Sequence, residues 1–182
     1  MKKLLFFLSS LFICSGFIGA ANAATFGFDA LSQKPSVGQR FEVSVFLNTE
    51  SERVNAIEGS VVLPLGSVSL KEIRDGNSIV PLWVEPPHFE ESDKIVFSGV
   101  IPGGYNGIKG HLFSFVLRGN AEASGAISLS GLKAFLHDGE GTQANVKGSN
   151  FSFTIFEGIA SDMLVSPADT VPPESFTPTA LR

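Results

Sequence analysis

From residue 25 onward, apolar and polar side chains alternate with a period of two. In Phe41-Glu42-Val43-Ser44-Val45-Phe46-Leu47, one side carries Phe41, Val43, Val45 and Leu47, and the other carries Glu42 and Ser44. That is a strand with one buried face. Asn55 to Leu63 repeats the pattern through Ile57, Gly59, Val61 and Leu63, and Pro64 ends it because proline has no N–H for a ladder. Val68 to Ile73 alternates again before the Asp75-Gly76-Asn77 turn. Ile79 to Val84 is a short strand whose Pro81 places it at an edge, closed by Pro86-Pro87. Ile95-Val96-Phe97 follows. His111 to Leu117 has Phe113, Phe115 and Leu117 on one side and Leu112 and Val116 on the other, as a central strand would. Ala126 to Leu136 is extended, with Gly131 as a bulge or bend. Phe151, Phe153 and Ile155 align on a last strand. With Thr25 to Phe28 this makes eight or nine strands and no amphipathic helix. Strands at this spacing predict an all-β, two-sheet, jelly-roll-like sandwich of about nine strands.

The two ends differ from this middle. Lys2 and Lys3, the apolar Leu4 to Ile18, and Ala21-Asn22-Ala23 compose a signal peptide over residues 1–23, cleaved after Ala23. Cys14 is preceded by the bulky Ile13, which disfavours lipid attachment. Its removal leaves a mature chain without cysteine, so stability rests on packing and not on disulfides. Residues 24–158 form the folded domain. Four phenylalanines lie in the leader, so 13 of the 17 follow it, 12 of them within this domain. Residues 159–182 hold Pro167, Pro172, Pro173 and Pro178 among Ser, Thr and Ala, and read as a flexible tail or linker. The mature chain expected has 11 basic and 18 acidic residues and no basic run, which excludes a nucleic-acid partner on electrostatic grounds. Beyond the leader no membrane span is expected.

Several segments together resemble the cohesin-like domains of the cohesin and cellulose-binding β-sandwich group. They are Val37-Gly38-Gln39-Arg40-Phe41-Glu42-Val43, Ala56-Ile57-Glu58-Gly59-Ser60-Val61-Val62-Leu63-Pro64, Ile95-Val96-Phe97-Ser98-Gly99, Gly110-His111-Leu112-Phe113-Ser114-Phe115 and Leu136-His137-Asp138-Gly139-Glu140-Gly141-Thr142. Their order along Ser32 to Ile155 carries the likeness. The chain departs from the pattern at Leu63-Pro64-Leu65-Gly66, which has no acidic residue before the proline. The resemblance implies a nine-stranded sandwich without a catalytic centre. It also implies a dockerin-like or other surface-protein partner. Related sandwiches bind polysaccharide, so a carbohydrate-binding module is the alternative.

The chemistry-bearing residues point the same way. His88, His111 and His137 fit no close-spaced metal motif. There is no nucleophile elbow, since Ser98-Gly99 and Ser130-Gly131 have the wrong flanks. Glu85, Glu90, Glu91 and Asp93 crowd around Pro86-Pro87, and read as a solvated loop more readily than as facing carboxylates of a glycosidase. Asp138 and Glu140, with Asp75 and Asn77 nearby, are candidate oxygen ligands for calcium, the one cofactor expected. Gly103, Gly104, Gly107 and Gly110 form a tight structural loop that lacks the Gly-Lys-Ser/Thr of a phosphate cradle. Trp83 and Tyr105, with Phe89, are the aromatic side chains placed for stacking on a sugar.

Overall fold

The computed structural model describes residues 23–90 and 93–158. The expected leader, Ala23 apart, lies outside them, as do Glu91 and the expected tail. Ten strands are present: β1 (Ala23–Ala30), β2 (Arg40–Asn48), β3 (Val54–Val62), β4 (Val68–Arg74), β5 (Leu82–Glu90), β6 (Lys94–Tyr105), β7 (Gly110–Gly119), β8 (Ala123–Leu136), β9 (Asn145–Gly148) and β10 (Phe151–Ile155). They form two five-stranded sheets, one in the order β4-β7-β2-β1-β9 and the other β10-β8-β3-β6-β5. No described residue is helical, so among the described residues no helix is long and apolar enough to cross a membrane. The all-β two-sheet sandwich is therefore as the alternation predicts.

The alternating faces meet in one core. Phe41, Val43, Val45 and Leu47 of β2 and Phe113, Phe115 and Leu117 of β7 face Ile57 and Val61 of β3 and Ile95 and Phe97 of β6. Phenylalanines join the layers. Phe97 of the second sheet lies between Phe26 and Phe113 of the first, at ring-centroid distances of 6.5 and 5.1 Å. Phe41 meets Phe153 across the same gap at 5.6 Å. Such tilted pairs contribute about 0.5–1.5 kcal/mol beyond area burial.

The structure corrects the sequence reading in four places. The tenth strand, β9, was not expected; it pairs in parallel with β1, Ala24 opposite Val146. The strand placed at Ile79 to Val84 is shifted: β5 runs on through Pro86 and Pro87. It is an edge strand, as its prolines require, but they sit in a register shift between Glu85 and His88 and do not close it. Of the four loop glycines, Gly103 and Gly104 belong to β6, at φ of 83° and 71°, and Gly110 opens β7, leaving Gly107 in the loop. Leu112 is fully buried in the core and not on the outer face. A register shift at Val45/Phe46 pairs His111 with Phe46 and Phe113 with Val45, making Leu112 the extra residue. Gly131 sits at φ 61° within the β3–β8 shift, the bulge that a strand glycine predicts.

Gly99 of β6 lies under the β5 edge. A Cβ there would run into Val80 Cγ1 and come within 2.9 Å of Trp83 Cε3. Gly99→Ala is expected to cost about 1–3 kcal/mol through this overpacking. Trp83 is the single tryptophan, so the displaced ring is expected to show as a red-shifted emission. Unchanged emission and an unchanged denaturant midpoint would contradict the packing.

Candidate functional site

The outward residues of the second sheet form a flat surface. Direct neighbours in an antiparallel ladder point to the same side. On that rule Glu58 of β3 shares the outer face with Ser98 of β6 and Lys133 of β8, and Ser60 shares it with Val96 and Ser130. β5 extends the row, Leu82 beside Val100 and Glu85 beside Ser98. Glu58, Ser60, Ser98, Ser130, Gly131 and Glu85 surround a shallow depression of about 290 Å³. Its floor is made of small side chains because the β8 bulge places Gly131 there. The Glu58 carboxylate accepts a charge-assisted hydrogen bond from Lys133 Nζ. Leu82 is 55 % exposed and Val84 70 % exposed at the β5 margin.

The outer face of the first sheet carries two depressions, one of about 260 Å³ beside Asp29, Leu31 and Ser44 and one of about 390 Å³ beside Glu42, Asn77 and His111. Phe46 covers Gly27, whose missing side chain leaves room for the ring. Arg74 donates to Glu42 at 2.8 Å and to Glu72 at 2.6 Å, and its hydrogen bond holds the Glu72 carboxyl below the ordinary value. Ser44 and Ser114 share a hydrogen bond of 2.8 Å, and His111 Nε2 lies 3.0 Å from Ser114 Oγ. This serine–histidine pair was not legible in the sequence, because the β7 bulge brings it to one face. It is not arranged as a nucleophile and base. Ser114 is 5 % exposed, Ser44 occupies its hydroxyl, and His111 Nδ1 is buried with no carboxylate to orient it.

The residues singled out from the sequence are dispersed. Trp83 packs over Gly99 against the core, and Tyr105 also packs against the core from the end of β6. The Tyr105 side chain lies against Gly107 and Gly110, where a Cβ would come within 2.6 Å of its hydroxyl oxygen and of its ring respectively, and its hydroxyl donates to Ile108 O at 3.2 Å. Burial pushes its phenol pKa up. The glycines thus act as a seat for Tyr105. Gly104 leaves space for Arg53 and His137, and Arg53 donates to Gly103 O at 3.3 Å. Gly107 exchanges hydrogen bonds with the buried Thr49, each N–H finding an oxygen of the other residue at 3.0 Å.

Asp138 and Glu140 occupy the turn after β8. Asp138 Oδ1 accepts the Glu140 N–H at 2.9 Å, and the Thr142 hydroxyl, then that N–H, holds its carboxyl below the usual aspartate range. Gly139 and Gly141 take φ of 80° and 73°, which closes this Asx-type turn. A depressed carboxyl stabilises the fold fully above its unfolded value. That contribution is lost as the pH falls through the lower folded value. The Glu140 amide is therefore expected to shift in an NMR titration only at pH below the ordinary aspartate value, and Asp138→Asn is expected to abolish that step. A step at or above the ordinary value would contradict the turn geometry. Glu85 and Glu90 lie on the open β5 edge, and Asp93 in the following turn accepts Leu63 N–H at 2.8 Å through its carbonyl.

No family model and no curated relative matches the sequence. Solved structures do. A non-cellulosomal cohesin from the hyperthermophilic archaeon Archaeoglobus fulgidus is 21 % identical, with a TM-score of 0.61 over 74 % of this chain and 92 % of that one. A cohesin module from a Clostridium perfringens family 33 glycoside hydrolase is 15 % identical, with a TM-score of 0.62 over 75 % and 99 %. The sixth cohesin of Acetivibrio cellulolyticus scaffoldin B, solved in complex with a mutant Cel5 dockerin, is 13 % identical with a TM-score of 0.59 over 75 % and 99 %. Built from its own strand alternation and matched over nearly the full length of these modules, the chain has the β-sandwich fold of these cohesin modules.

Proposed function

We propose that the protein is an exported, non-catalytic module that binds a dockerin-like protein partner through the outer face of β8-β3-β6-β5. One observation carries this reading. That face is floored by Ser60, Val96, Ser98, Ser130 and Gly131 and margined by the exposed Leu82 and Val84. Small side chains let a partner's backbone approach closely, and apolar margins supply the desolvation that drives association. Complexes of cohesins with dockerins among the structural neighbours support the same class of partner. The leader read from residues 1–23 supports export.

The test is a binding panel of dockerin modules beside insoluble cellulose, chitin and xylan. Saturable binding to a dockerin-type module with no retention on any glycan is the expected result. Saturable retention on a glycan, without binding to any dockerin module, would favour the carbohydrate reading instead.

A further inference from the structure

The register shift in β5 changes which side chains share a face. By a period of two, Glu85 and His88 would point to opposite sides of the sheet. Pro86 and Pro87 lie inside the shift, so Glu85 stands opposite Ser98, His88 opposite Val96 and Glu90 opposite Lys94. Ser98, Val96 and Lys94 are every second residue of β6, so all three β5 side chains emerge on the outer face. Their ligand atoms then lie within 4.8 Å of one another. His88 Nδ1 is 3.0 Å from Pro86 O, which makes Nδ1 the protonated nitrogen and leaves the Nε2 lone pair free. Nε2 is 3.7 Å from Glu85 Oε1. Fixing one ring nitrogen on a backbone carbonyl is how metal-binding histidines are commonly oriented. Among the described residues, His88 is the only basic side chain that forms an ion pair with Glu85 or Glu90, and Lys94 stands opposite Glu90 on β6.

We infer that Glu85, His88 and Glu90 form a surface site for a divalent transition ion of the zinc class. One imidazole nitrogen and two carboxylates suit zinc, whereas calcium takes six to eight oxygens. Three protein ligands leave a coordination position open to solvent. The prolines restrict the backbone that carries the ligands, so less ordering accompanies binding. The site shares Glu85 with the proposed docking face, but zinc uptake is read without a protein partner, so its failure and that of the docking reading are distinguishable.

Calorimetric titration of the purified protein with zinc chloride tests it. The expected result is one saturable equivalent, weakened about tenfold or more by His88→Ala and by Glu90→Gln and unchanged by His137→Ala. The His88 Nε2 resonance is expected to move on zinc addition while Nδ1 keeps its proton. All three side chains are exposed, so the variants should keep the wild-type melting temperature. No saturable uptake, uptake indifferent to His88→Ala, or equal loss in His137→Ala would overturn the site.

Discussion

Phe113→Ala is expected to remove about 3–5 kcal/mol of folding stability, the range for truncating a buried phenylalanine. Phe113 is fully buried and touches both layers, with ring centroids 5.1 Å from Phe97 and 6.4 Å from Phe115. No cysteine is present among the described residues, so no cross-link limits the loss. Against a total of roughly 5–15 kcal/mol this is a large share, and a domain of this size should melt on the order of 10–20 °C lower. The double variant with Phe97→Ala should cost less than the sum of the singles, because the two rings share one contact. Strict additivity in denaturant melts would show that the rings do not bridge the sheets.

The second large effect concerns binding. Ser98 sits in the middle of the proposed docking face, between Glu58 on β3 and Glu85 on β5. Ser98→Arg places a long cationic side chain where the partner should approach most closely. Its two carboxylate neighbours can pair with the new charge, so the fold should tolerate it. A clash at the centre of an interface costs about 2–4 kcal/mol, which is on the order of 30- to 1,000-fold in Kd. Asn120→Arg, at an exposed position after β7 that hydrogen-bonds Ser67 and Ser69 beside the first sheet, should change affinity less than about threefold. Surface-plasmon measurements with the dockerin module identified in the panel decide between them. Equal effects of the two variants would place the partner elsewhere.

Much of the fold was legible because a half-buried strand must alternate. Phe41 to Leu47 and Ile57 to Leu63 could not have been read otherwise, and both are core strands. What was missed has local causes. β9 is four residues with one partly buried apolar side chain, Val146, and its parallel pairing with β1 joins segments more than a hundred residues apart. Pro86 and Pro87 look like a strand terminus, but at a sheet edge a bulge absorbs them. The same bulge hides the Glu85–His88–Glu90 cluster, since its spacing assigns the residues to opposite faces. The proposed docking face was less legible still. Serine and glycine carry no chemical signature, and flatness arises only when three strands align them. The aromatic side chains that drew attention in the sequence, Trp83 and Tyr105, pack against the core.

Cross-saturation NMR on the partner complex addresses the binding face most directly. With the unlabelled partner irradiated, attenuation is predicted at the amides of Ser60, Val96, Ser98, Val100 and Ser130. Attenuation confined to Thr25, Ser44 and Val116, on the opposite sheet, would contradict the account.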